Sequence, residues 1–147
     1  MSANEIFESI TQLSQNQKWD PESVAEILST QLVPDPAGDS PVTKSYAQPK
    51  GGNSRYKEVE LRIPDPIFGN SGPLLKATLK NDEGIDAKSI FQQYGLEFQK
   101  DVPSPRYPPG LPAYYNYEQP WGSLSLGVTN DAASKLVSFI VKPKKAQ

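Results

Sequence analysis

Glu58 and Glu60 are the first residues whose types and spacing could do chemistry. Two positions apart on an extended strand, their carboxylates share one face roughly 7 Å apart, a separation a two-carboxylate hydrolase can use. With Tyr56 they would form a small hydrolase or lyase site, marked by a raised carboxyl pKa inside a cleft. Arg62, Lys76 and Lys80 offer the plainer account, in which opposite charges pair across a solvated sheet face. A second acidic group, Asp82, Glu83 and Asp86, lacks the spaced ligands and distant bidentate Glu of a calcium loop. A turn followed by a helix cap explains it. Gly51-Gly52-Asn53-Ser54 leads into a strand, with no following helix and no phosphate-binding Lys, so it reads as a turn.

The chain contains no histidine and no cysteine. Disulfides, thiolate nucleophiles and thiolate zinc sites are thereby excluded, as are the commonest general base and the usual transition-metal ligand. No catalytic residue, metal site or cofactor is expected. A formal net charge of −2 gives no general attraction to phosphate backbones, so nucleic acid is not the expected partner. No apolar run approaches the roughly 20 residues that span a bilayer. Met1 to Glu5 show no basic region followed by an apolar core, so the chain as written is expected in the cytoplasm. A mature periplasmic or secreted form would look the same.

One segment resists a bland account. Arg106, Tyr107, Tyr114, Tyr115, Tyr117 and Trp121 follow one another beside the five prolines of residues 103–112. Tyr, Trp and Arg dominate protein interfaces because each buries much area while keeping a polar tip, and proline lowers the ordering cost of a recognition loop. The alternative is that alternate tyrosines, such as Tyr115 and Tyr117, face the core.

The elements that must position these groups are legible. At 147 residues a single domain is expected, with roughly 70% of the unfolded surface buried. Ile6, Phe7, Ile10 and Leu13 form the stripe of a helix over 3–15, entered through a Ser2/Glu5 capping box. Asp20 and Pro21 open a second helix, with Val24, Ile27, Leu28 and Leu32 as its stripe, a Trp19/Val24 staple, and Pro34 and Pro36 as its stop. A strand candidate at 42–48 precedes two alternating strands, Tyr56 to Ile63 and Leu74 to Lys80. Asn81 to Gly84 reads as a turn. Asp86 caps a third helix over 87–94, closed by Gly95. A Pro-rich loop over 101–112 then leads to strands 113–118, 123–129 and 136–142, the last two joined by a turn at 130–134.

The halves match in order. Trp19-Asp20-x-x-Ser23-Val24 corresponds to Ile85-Asp86-x-x-Ser89-Ile90, and Ser45-Tyr46-Ala47-Gln48-Pro49 to Asn116-Tyr117-Glu118-Gln119-Pro120. The reading is a tandem repeat over 19–80 and 85–142, each unit a helix followed by three strands. The expected fold is α+β: a twisted antiparallel sheet of about five to six strands backed by about three helices. One sheet face would carry Val59, Leu61, Ile63, Leu75, Leu79, Leu124, Leu126 and Val128 beneath the helices. The other would carry Glu58, Glu60, Arg62, Lys76, Thr78, Ser123, Ser125 and Ser138, uncovered.

The short helix ending in Tyr94-Gly95, then Tyr114-Tyr115-Asn116-Tyr117, the strand Gly122 to Val128 and the strand Lys135 to Ile140 carry a resemblance. This arrangement resembles the tandem helix-plus-sheet fold of the β-lactamase inhibitory protein and related small bacterial envelope lipoproteins. The likeness covers about the last 60 residues well and the first half loosely. By looser analogy, many small bacterial immunity proteins are single α+β domains of this size. The resemblance implies a non-enzymatic inhibitor or immunity-type module that occludes another protein, such as a toxin or an enzyme. The resemblance supplies no contact residues; the residue types of the aromatic segment and of the open face give the expected contacts as Arg106, Tyr107, Tyr114, Tyr117 and Trp121, with Glu58, Glu60 and Arg62 setting charge complementarity. A scaffold or assembly component of a larger bacterial machine is the alternative, and the paired-carboxylate hydrolase the second.

Overall fold

The structure, a computed structural model, describes residues 2–50, 55–65, 72–80, 85–95, 112–129 and 134–144. The turns expected at 51–54 and 81–84, the turn expected at 130–134 except Ser134, and the Pro-rich loop except Pro112 lie outside these residues.

Local chemistry sets the helices. In α1 (Ala3–Gln15) the Ser2 hydroxyl accepts from the Glu5 amide and the Glu5 carboxylate accepts from the Ser2 amide, a complete capping box. α2 (Pro21–Leu28) starts where Asp20 accepts the Ser23 amide at 2.7 Å, with Pro21 at the first helical position. It ends sooner than Pro34 and Pro36 suggest. Ser29 enters the left-handed region at φ 54°, and the Thr30 amide reaches back to the Ala25 carbonyl at 3.0 Å. Leu32 therefore lies beyond the helix. α3 (Ala87–Gln93) is capped by Asp86 on the Lys88 amide, and Gly95 follows at φ 66°, a conformation that favours glycine.

Among the described residues, seven strands form one antiparallel sheet, more than the five to six expected. They are β1 (Val33–Pro34), β2 (Thr43–Ala47), β3 (Tyr56–Pro64), β4 (Leu74–Leu79), β5 (Ala113–Gln119), β6 (Gly122–Val128) and β7 (Leu136–Pro143), in the order β1-β2-β3-β4-β7-β6-β5. The extra strand is β1, two residues paired with Ala47 and Tyr46 of β2. Pro34 thus belongs to a sheet edge, where a missing N–H is tolerated. Pro36–Gly38 forms a short 3-10 turn beside it.

The order has a plain logic. α2 precedes the meander β2-β3-β4, α3 precedes the meander β5-β6-β7, and β4 and β7 join the two. The matched tyrosines fall at corresponding places: Tyr46 pairs with Leu61 and Tyr117 with Leu124, each on the outer strand of its meander. Val24 and Ile90, the matched residues after the caps, are both fully buried. α1, the additional helix, packs on β7 and touches both α2 and α3.

The three α-helices of the described residues serve one face. Ile6, Ile10 and Leu13 of α1 meet Val59, Leu61, Leu75, Leu124, Leu126, Phe139 and Val141 in a single core cluster. Phe139 opposes the small Ala77 across β4–β7, and its ring meets the buried Tyr56 ring edge-on at 6.4 Å. Phe7 lies against Tyr94, ring centroids 4.9 Å apart. Burial pushes the Tyr94 phenol well above its ordinary value, with Thr11 opposing the shift.

Two outcomes follow. Ile10 has no exposed surface, so Ile10→Ala should cost about 2–5 kcal/mol in urea unfolding, whereas Glu8→Ala, exposed on the same helix, should change stability by less than about 0.5 kcal/mol. The Ser23 amide and hydroxyl hold the Asp20 carboxyl below its ordinary 3.8. A depressed folded pKa stabilises above the unfolded value and is lost as pH falls through the folded one. Asp20→Asn keeps a capping oxygen, so it should remove this acid-side loss below about pH 4 while unfolding near neutrality stays close to that of the parent chain.

Candidate functional site

The uncovered face of the sheet follows from strand periodicity. Each alternating strand sends its apolar residues to the helices and its remaining residues to the other side. Register aligns these into rows. One row runs Ala47, Glu60, Lys76, Ile140, Ser125, Asn116 across six strands. The next runs Glu58, Thr78, Ser138, Gly127, Tyr114. Beyond the first row, Ser45 opposes Arg62 and Ser123 links Lys142 to Glu118.

Charge is concentrated at the β3 side. Arg62 donates its Nε–H to Glu60 at 2.7 Å, and Glu60 also opposes Lys76. Both members of this ion pair are substantially exposed, so it orients charge more than it stabilises. Glu58 is exposed. A groove of about 570 Å³ at this end is lined by Asp35, Gln48, Lys50, Glu58, Glu60 and Lys80 among others. Over β2 the face is not bare: the 3-10 turn covers Ser45, whose hydroxyl donates to the Gly38 carbonyl at 2.8 Å and whose amide donates to Asp39 at 2.7 Å.

The other side of the face is centred on Tyr114, with Lys76 beside its ring and Glu118 and Lys142 farther along. Its ring lies across Gly127 so closely that a Cβ there would sit 2.9 Å from the ring and 2.4 Å from the Ser138 hydroxyl oxygen. Ser138 donates to the Tyr114 hydroxyl at 3.2 Å, and the Lys76 ammonium stands 5.9 Å from the ring centroid, within cation–π range. Tyr114 nevertheless remains 39% exposed. Aromatic cover over a strand glycine repairs the packing that glycine lacks, and here it leaves a broad amphipathic surface facing solvent.

The residues expected to bind are therefore divided. Tyr114, Glu58, Glu60 and Arg62 share the uncovered face. Tyr117 does not: it and Tyr115 point to the helix side, where Phe91 meets their rings edge-on at 5.6 and 5.7 Å. Burial there, followed by the neighbouring Tyr115 phenol, raises the Tyr117 pKa. Trp121, in the two-residue connection between β5 and β6, is partly buried against the core. Arg106 and Tyr107 lie outside the described residues. Ile140, Gly127 and Asn116 were not singled out from the sequence. Ile140 is hidden there by the run Leu136-Val137-Ser138-Phe139-Ile140-Val141, whose apolar residues do not alternate. Asn116 could have been found, because it alternates with Tyr115 and Tyr117.

The carboxylate site does not assemble. Tyr56 is fully buried on the helix side, opposite the face of Glu58 and Glu60, with a register irregularity between Tyr56 and Glu58. Among the described residues no three His, Cys, Asp or Glu side chains come together to hold a metal, and no helix is long and apolar enough to cross a membrane.

Gly127→Ala tests the Tyr114 arrangement. The added methyl must displace the ring or Ser138, which should cost about 1–3 kcal/mol and shift the Tyr114 ring resonances in the NMR spectrum. Unmoved Tyr114 signals would contradict the contact. In comparisons with known proteins, no family model, curated protein or solved structure matches the chain, so the likeness to the inhibitory-protein fold rests on the strand pattern alone.

Proposed function

We propose that this chain is a non-enzymatic protein-binding module of the inhibitor or immunity type. Its uncovered sheet face seats against another protein and occludes that protein's site. The observation that carries this reading is the one-sided cover of the sheet: the three α-helices of the described residues on one face, and on the other the exposed Tyr114 among small polar side chains, with Lys76 beside its ring. An aromatic anchor of this kind is what the centres of protein interfaces are built on. Glu58, Glu60 and Arg62 along one border supply the polar rim that sets orientation and partner choice. Arg106 and Tyr107 of the Pro-rich segment serve as further anchors.

The test starts from the partner captured by the full chain in extracts of its native host, purified and titrated by calorimetry. Lys76→Glu and Ile140→Asp alter the uncovered face, and each should weaken binding tenfold or more, about 1.4 kcal/mol. Glu8→Ala and Gln12→Ala, exposed on α1, should leave the Kd unchanged. A separate Tyr107→Ala variant reports on the loop. Binding unaltered by both face variants but lost on altering α1 would overturn the reading.

A further inference from the structure

The two edges of the sheet are treated differently. β1 is two residues long and contains Pro34, which offers no N–H, and Pro36 follows it. Short length and proline are the usual guards against edge-to-edge pairing. At the opposite end β5 has β6 as its one neighbour among the described residues. It runs seven residues, Ala113–Gln119, pairs with β6 at every position without a register shift, and contains no Pro and no Lys. None of the guards found at β1 is present.

The main-chain direction along β5 follows from one hydrogen bond. The Lys144 amide donates to the Trp121 carbonyl at 2.9 Å, flanking the Gly122–Pro143 pair. Gly122 and Pro143 therefore turn their own main-chain groups away from each other, and those of Gly122 face Gln119 of β5. Alternation then sends Gln119, Tyr117 and Tyr115 toward β6. The N–H and C=O groups of Glu118, Asn116 and Tyr114 point out of the edge.

The geometry points to a second copy of this chain as the occupant, with β5 pairing antiparallel to β5 of the partner about a twofold axis at Asn116. In that register the two Asn116 residues exchange both main-chain hydrogen bonds, and Tyr114 does the same with Glu118 on the other chain. The side chains are self-complementary. Tyr115 opposes Tyr117 on the helix side, a favourable aromatic pair formed twice. Glu118 opposes the uncharged Tyr114, and the two Glu118 side chains stand roughly 14 Å apart, beyond the screening length of about 8 Å at physiological salt. Because β1 is guarded, pairing closes at two copies rather than growing into a fibre. This pairing does not depend on the uncovered face capturing another protein.

Asn116 at the axis gives the test. Asn116→Lys and Asn116→Glu place like charges directly opposite each other on a side chain that faces solvent. Sedimentation equilibrium should show the parent chain at twice its 16.2 kDa mass, each charged variant as a single chain, and their equimolar mixture paired again. The chain has no cysteine, so single substitutions report distance. Asn116→Cys places two Cα atoms about 5.5 Å apart, within disulfide reach, and should oxidise to a covalent dimer. Glu118→Cys, roughly 14 Å from its mate, should not. A parent chain that stays single at roughly 100 µM, well above micromolar dissociation constants, overturns the proposal. Charged variants that remain paired overturn it, as does cross-linking of Glu118→Cys as readily as Asn116→Cys. A chain that is single alone yet takes a strand from a different protein overturns it too.

Discussion

The antiparallel pairing of β4 with β7 is the constraint on which the rest depends. Each helix-plus-meander unit brings three strands and one helix, and the β4–β7 pairing turns the two three-stranded meanders into one continuous sheet. The seam sets Leu75 against Val141 and Ala77 against Phe139, so that a large ring and a small side chain fill the centre of the core together. It also brings α2 and α3 to the same side, where α1 lies against both and against β7. Had one unit been turned over, its helix would have covered the opposite face. Because neither is, among the described residues one face takes the three α-helices and the other only the 3-10 turn over β2.

That asymmetry explains what the bare face is made of. Where its partner face carries Leu and Val, this face is built mainly from Ser, Thr, Lys, Glu, Arg and Asn around one aromatic ring, with Ile140 as its large aliphatic residue among the described positions. Tyr114 is held by packing and by its hydroxyl contact to Ser138, so little side-chain freedom is left to lose when something docks on it. The charged border at β3 is differently made. Glu60 and Arg62 are paired across exposed positions, where water competes and long side chains can re-aim. On the proposed reading, Tyr114 is the rigid anchor of the contact and Glu60 with Arg62 is its adaptable charged border.

How much of this is legible in the sequence depends on how local the physics is. Capping is local, so Ser2 with Glu5 and Asp20 with Pro21 announce their helices, and alternation in β3, β4 and β6 announces both faces. The end of α2 is not announced: Ser29 turns left-handed without the glycine that usually marks such a site, and the later prolines attract the eye. β1 is invisible because two residues become a strand only through register with β2. In β5, alternation separates Tyr114 from Tyr115 and Tyr117 but cannot say which set faces inward. Phe91, arriving from α3 more than 20 residues earlier, decides that. The β7 run Phe139-Ile140-Val141 is apolar throughout, and only its pairing with β4 and β6 reveals Ile140 on the bare side.

β5 joins the two surfaces proposed for this chain. Its side chains alternate between faces, and its main-chain groups alternate between neighbours, both with period two. The residues whose main-chain groups leave the edge, Tyr114, Asn116 and Glu118, are therefore the same ones whose side chains lie on the uncovered face. When two copies pair, the row ending at Asn116 continues into the same row of the other copy, the row ending at Tyr114 continues into its Glu118–Ser123–Lys142 row, and the uncovered face doubles in width around the axis. A protein seated over that axis contacts both copies. Occupancy of the face and pairing of the edge are then thermodynamically linked, and each strengthens the other by the same factor. A partner confined to the Glu58–Arg62 border touches one copy only and leaves the pairing equilibrium unchanged, so the position of the bound protein determines whether the two events are coupled.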